Sequence, residues 1–149
     1  MKKSFKGIYK PTNPKKYVGN PNNIVYRSLL ERKFMVYCDK NPNILQWGSE
    51  EIYIPYFLPT DGKIHRYFPD FYIKVKRKDG NIKKMIVEIK PEKYTKPPVM
   101  PKKKTKSYVK DVYEWGRNEA KWKSALEYCK DRGMDFLILT EQHLMPKYK

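Results

Sequence analysis

Cysteine is scarce in this 149-residue chain: there are two, Cys38 and Cys129, far apart. Neither belongs to a CxxC pair or lies beside a histidine cluster, which argues against zinc. Both fall inside apolar patterns of helical spacing and read as buried free thiols, at home in a reducing compartment. Long apolar runs are missing too. No stretch approaches the ~20 residues of a membrane span, so no membrane partner is expected. The basic opening Met1-Lys2-Lys3-Ser4 has no apolar segment behind it, and no signal peptide is read. Acid is in short supply: 16 Asp and Glu face 33 Lys and Arg, for a formal net charge of +17. Such an excess draws polyanions and points to nucleic acid, with an anionic membrane surface or a ribosome as the other takers. Hydrophobic residues still make up 40% of the chain, unlike a disordered tail, and the length suits one domain with one core.

Residues 1–23 are rich in Lys, Pro, Asn and Gly and read as an extended basic arm without regular elements. From Ile24 to Asp39 (IVYRSLLERKFMVYCD) apolar residues recur at helical spacing, with Asn22 or Asn23 as the cap and Asn41-Pro42 as the stop. Asp61-Gly62 and Asp79-Gly80 then punctuate a strand-like region. Three strands, about Glu51–Leu58, Tyr67–Lys76 and Ile82–Lys90, are predicted to form an antiparallel meander. Pro91–Gly116 has no periodicity and much Lys and Pro, and reads as a long cationic loop. Asn118–Arg132 is helical, with Trp122, Ala125, Leu126 and Cys129 on one stripe and Gly133 as the stop. Asp135–Thr140 reads as a buried strand, and the strand–helix–strand order predicts that it lies parallel to Ile82–Lys90. The expected organisation is therefore an arm (1–23) and one domain (24–149) carrying a basic loop (91–116). The fold class is α/β, with a central mixed sheet of about four strands flanked by helices.

The chemistry-bearing residues lie on the predicted strands. Alternation puts Glu88 and Lys90 on one face and Val87 and Ile89 on the other. Phe71, Ile73 and Val75 must meet the same core as Met85, Val87 and Ile89. Pairing Val75 with Met85, Ile73 with Val87 and Phe71 with Ile89 achieves this. It sets Asp70 across from Lys90 and Tyr72 across from Glu88, through a three-residue loop with Gly80 left-handed. Asp70 and Glu88 would then hold a hard cation such as Mg²⁺, with the Ile89 carbonyl as a further ligand. Lys90 would orient water or stabilise charge on a phosphate. The competing reading is an ordinary cross-strand salt bridge on an exposed face.

Pro69-Asp70 and Glu88-Ile89-Lys90 resemble the signature of PD-(D/E)xK nucleases. Ser28-Leu29-Leu30-Glu31 resembles the SxxE helix of phage junction-resolving endonucleases and of transposon-end nucleases. That resemblance implies a restriction-endonuclease-like core, a catalytic set of Glu31, Asp70, Glu88 and Lys90, and Glu31 as a further metal or water ligand. A helix-capping role, or a pair with Arg27, is the alternative for Glu31. Nearly the whole chain, notably residues 6–39 (KGIYKPTNPKKYVGNPNNIVYRSLLERKFMVYCD) and HRYFPDF, resembles the head completion proteins of T-even-type tailed phages. The implied function is Mg²⁺-dependent cleavage of double-stranded DNA in head maturation, with Mn²⁺ able to substitute. The implied places are the host cytoplasm and the virion head–tail vertex, and portal or connector proteins are the implied partners. A structural DNA- and portal-binding protein with an idle nuclease site is the rival, and a ribosomal-type RNA binder a third.

Two basic clusters are the expected DNA contacts: Lys2, Lys3, Lys6, Lys10, Lys15 and Lys16 in the arm, and Lys102, Lys103, Lys104 and Lys106 in the loop. A solubilising tail is the alternative. His65 is read as a turn histidine or a phosphate contact, and His143 has no evident partner. Glu50 or Glu51 could lie near the metal, and Gln46 and Trp47 pack locally. Lys121, on the last helix, could face the site, with a solvated helix face as the default.

Overall fold

The computed structural model describes residues 6–144. In chain order the elements are β1 (Gly7–Tyr9), β2 (Ile24–Tyr26), α1 (Leu29–Lys40), β3 (Ile44–Ser49), β4 (Ile54–Leu58), β5 (Lys63–Tyr67), β6 (Phe71–Lys76), β7 (Ile82–Ile89), α2 (Lys106–Asp131), β8 (Asp135–Leu139) and α3 (Glu141–Leu144). Four strands form a mixed sheet in the order β3-β6-β7-β8, and the α/β class expected from the sequence stands. The first three are antiparallel and β8 is parallel to β7. β8 is reached through α2, the crossover a parallel pair requires. Among the described residues no helix is long and apolar enough to cross a membrane.

Strand alternation gives the sheet two different faces. Phe71, Ile73, Val87 and Ile89 pack with Trp47 of β3, and with Phe34, Met35 and Cys38 of α1. Ile86, also fully buried, has the opposite parity. Phe136 and Ile138 face α2 (Trp122, Ala125) and the separate β4–β5 hairpin (Ile54, Tyr56, Leu58, Tyr67). Each large apolar side chain so buried contributes roughly 1.5–3 kcal/mol. Both cysteines are buried and free, as expected.

Several expectations are corrected. The helix expected from Ile24 starts at Leu29, because Ile24–Tyr26 pairs with β1 instead. Its cap is Ser28, whose side chain accepts from the Glu31 N–H, rather than Asn22 or Asn23. β4 does not join the meander; it pairs with β5, and β3 takes the place beside β6. α2 begins at Lys106, inside the expected loop, so the irregular connection ends at Thr105.

The segment expected as a bare arm also contains a strand and is fastened to the domain. Tyr9 and Tyr17 are buried, and Tyr17 packs edge-on against Trp47 at 4.8 Å between centroids. The Asp39 carboxylate, wholly buried at the end of α1, accepts from Tyr9 Oη (2.6 Å), Thr12 N (2.7 Å) and Asn13 N (2.8 Å). Burial pushes its pKa up, but these bonds and the Lys16 ammonium more than reverse that, holding it below the usual carboxylate range. Lys16 Nζ donates to the carbonyls of Cys38, Asp39 and Asn41 at 2.7–3.0 Å. An ammonium has three protons, and all three are engaged at a helix C-terminus, where a cation is favoured.

Candidate active site

The β6–β7 register sets the geometry. Phe71 pairs with Val87, Ile73 with Met85 and Val75 with Lys83. This is two residues from the expected pairing, so the parity survives while the partners change. Tyr72 lies across from Ile86. One step beyond Phe71–Val87, Asp70 meets Glu88 rather than Lys90. The turn explains it: Arg77 N–H donates to the Asn81 carbonyl (2.8 Å) and Gly80 N–H to the Arg77 carbonyl (2.9 Å). The loop is thus the expected three residues, but Lys78-Asp79-Gly80, with Gly80 at φ +87° as a left-handed position requires.

At this end of the sheet the two acids interlock. The Asp70 N–H donates to Glu88 Oε1 (3.3 Å), and the Ile89 N–H donates to Asp70 Oδ2 (2.8 Å). Tyr67 Oη donates to Glu88 Oε1 at 2.8 Å. Burial pushes both carboxyls above their ordinary range. For Asp70 the Glu88 charge adds to the effect, and the Ile89 N–H only partly offsets it. For Glu88 the Tyr67 hydroxyl, Lys90 and the Asp70 N–H pull the other way. A buried and a half-buried carboxylate facing each other are short of positive charge, and oxygens so placed suit a hard divalent cation. Ile89 adds a backbone oxygen. Its N–H points toward Asp70, and in a strand the carbonyl of the same residue points to the same side. Lys90 N–H, pointing the other way, donates to the Leu139 carbonyl of β8 (2.9 Å).

Glu31 stands apart. Its carboxylate accepts from Ser28 Oγ (3.1 Å) at the start of α1, the capping arrangement weighed above. Burial raises its pKa, and its charge reaches Asp70. Among the described residues, however, no three His, Cys, Asp or Glu side chains gather closely enough to hold a metal ion. Arg27 and Glu50 form an ion pair beside it. Glu50, at φ +55°, turns its N–H onto the Asp70 carbonyl (3.1 Å). Glu51 instead accepts from Tyr17 Oη.

One participant, Tyr67, goes unassigned in the sequence, and a second, Lys121, has a solvated place there by default. Tyr67 opens the predicted strand Tyr67–Lys76 and in the structure closes β5, but nothing in the sequence pointed its hydroxyl at Glu88. Lys121 is half-buried, not solvated, with Nζ 5.5 Å from the Tyr67 ring centre. Burial lowers its pKa and the nearby Glu88 raises it. Its place beside Trp122 on the buried stripe of α2 was the available signal.

His65 sits elsewhere, paired with Asp61 on the hairpin. His143 does have a partner, the Thr140 N–H. Of the basic residues, Lys6, Lys10, Lys15, Lys102, Lys103, Lys104 and Lys106 are exposed. Lys16 is withdrawn from that surface by its three carbonyls. Lys2 and Lys3 lie outside the described residues.

Comparison with known proteins follows the same lines. Residues 41–141 match the TnsA-like endonuclease N-terminal family. Over 145 residues, 95% of this chain and 94% of the other, the sequence is 42% identical to the head completion nuclease of Enterobacteria phage T4. The chain belongs to the TnsA-like endonuclease N-terminal family and is a relative of that phage nuclease.

Proposed function

We propose that this protein is a metal-dependent DNA endonuclease of the PD-(D/E)xK type that acts on phage DNA during head completion and maturation. One observation carries the reading: the register that sets Asp70 against Glu88, with Lys90 two residues along the same face. Asp70, Glu88 and the Ile89 carbonyl would hold Mg²⁺ or Mn²⁺, which supplies a water of lowered pKa and neutralises phosphate charge. Tyr67 fixes Glu88, and the Ile89 N–H fixes Asp70. Lys90 presents its ammonium to the scissile phosphate and stabilises the charge that builds there. Glu31 adds negative charge at the same end and orients water rather than completing a tight ligand set. The exposed lysines at 6, 10, 15, 102–104 and 106, joined by Lys2 and Lys3, hold the duplex backbone without reading sequence.

The phage setting and the part in head completion rest on the relative's name; the host cytoplasm, the head–tail vertex and a portal or connector partner rest only on what the sequence resemblance implies. A second reading, a DNA- and portal-binding head completion protein with a latent site, draws support from the mutual repulsion of Asp70 and Glu88. Plasmid nicking with Mg²⁺, Mn²⁺ or chelator separates the two. Metal-dependent nicking is expected, lost in Asp70→Asn and reduced about 10²–10³-fold in Lys90→Ala. Tight DNA binding without nicking by the wild type under any of these metals would overturn the enzyme reading.

A further inference from the structure

A cleft of about 490 Å³ opens beside Lys90, between the chain that follows β7 and the first half of α2. Three more lysines line it, Lys93 and Lys96 from one wall and Lys110 from the other. Two aromatic rings line it as well, Tyr94 and Trp115. Tyr94 is 40% exposed, with the Lys93 ammonium 4.7 Å from its ring centre, so cation and ring already lie together at the cleft wall. Trp115 is held edge-on by Trp122, 5.8 Å between centroids, which fixes its orientation. Two carboxylates of α2, Asp111 and Glu114, also border the cleft, leaving the cations in the majority.

We propose that this cleft takes an unpaired nucleotide of the DNA strand next to the scissile phosphate. A volume in the range of small-ligand sites has no room for a duplex. Lysines interleaved with aromatic rings are the chemistry of single-strand binding, with phosphates held by charge and bases stacked on rings. Asp111 and Glu114 face the exocyclic amino groups of a base better than a phosphate, and they discourage a continuous run of backbone through the cleft. Position supplies the rest. Lys90 belongs to both the cleft and the end of β7, and α2 carries Lys110 and Trp115 to the cleft and Lys121 to Glu88. The enzyme so built prefers DNA with frayed, flapped or overhanging ends to continuous duplex. An already unpaired base spares the cost of unstacking. The inference rests on the reading of Asp70, Glu88 and Lys90 as the cleavage centre, since that reading places the cleft next to the cut.

Equilibrium binding in chelator, read by fluorescence anisotropy, tests it without requiring cleavage. The probes are a blunt duplex and the same duplex with a short single-stranded overhang on either strand. The wild type is expected to bind one overhang form about tenfold more tightly than the blunt form, the worth of about one stacked base. The Lys96→Glu, Lys110→Glu double variant is expected to bring that ratio near one. The matched Lys102→Glu, Lys103→Glu change, outside the cleft, is expected to weaken both probes and keep the ratio. Trp115→Leu, checked for folding by circular dichroism, should likewise lose the preference; should it fail to fold, the charge variants decide. Equal binding of overhang and blunt DNA by the wild type, or a ratio untouched by the cleft substitutions, would overturn the proposal even if nicking were robust. An overhang preference in a protein that never cuts would leave the cleft standing and sink the cleavage reading instead.

Discussion

Asp39 is wholly buried and Asp70 partly so, and their surroundings push them in opposite directions. Asp70 is raised by burial and by Glu88. Its folded pKa exceeds the unfolded value, so metal-free stability declines as pH rises from the unfolded value through the folded one. Asp70→Asn is therefore expected to melt higher than the wild type near neutral pH in chelator, by about 2–4 °C for each kcal/mol of repulsion removed. Adding Mg²⁺ should raise the wild-type midpoint and leave the variant's unmoved, which thermal unfolding with and without the ion would check. Asp39 behaves in the opposite sense. Its folded pKa is depressed, so its contribution is full above the ordinary carboxylate pKa and fades as pH falls through the native value. Asp39→Asn leaves an amide that cannot accept from Tyr9, Thr12 and Asn13 as an anion does. The expected loss is about 2–4 kcal/mol at neutral pH, shrinking below about pH 4. Urea unfolding at two pH values would reveal this difference.

Among the elements, α2 and the β6–β7 turn yield opposite glycine effects. Gly116 lies in the helix interior, where a methyl group would meet nothing within 4 Å. Gly116→Ala is expected to stabilise by about 0.5–1 kcal/mol. Gly80 has equally open space, but its φ of +87° rejects a side chain, and Gly80→Ala should cost a similar amount. Chemical denaturation of the two variants should show midpoints displaced to opposite sides of the wild type. The same helix shows why part of the fold could not be read. Its buried residues begin only at Asn118. Tyr108, Val112 and Trp115 do recur at helical spacing, but they follow directly on a Lys- and Pro-rich run and are absorbed into the loop read there. β5 (KIHRY) is exposed along most of its length and reads as a turn. By contrast, β7 is buried along its second half, and β8, although only half-buried rather than the buried strand expected, is a short apolar run (FLIL); their parallel pairing followed from the helix between them. The site was legible as a parity, since Asp70, Glu88 and Lys90 share a face under either register. The partner of Asp70 was not, because it depends on which three residues form the turn.

The whole molecule presents a field of +17 to its surroundings. With seven lysines of the two expected clusters exposed, duplex binding should be governed by counterion release. Six to ten phosphate contacts would cost about 10³–10⁵ in affinity between 50 and 200 mM salt. A salt titration of binding to a blunt duplex measures the number directly, and a flat response would remove the two clusters from the DNA-binding surface. The parallel strand at the far edge has a different consequence. β7 finds its neighbour on that side only after the chain has passed through all of α2, and the peptide after Ile89 is tied to Leu139. A nascent chain that has left the ribosome only as far as α2 thus holds all the proposed catalytic side chains, but the strand that carries Glu88 and leads into Lys90 has one bare edge. The sheet edge beside the proposed centre is completed only when β8 (Asp135–Leu139) has been made, so competence is expected to come late in synthesis.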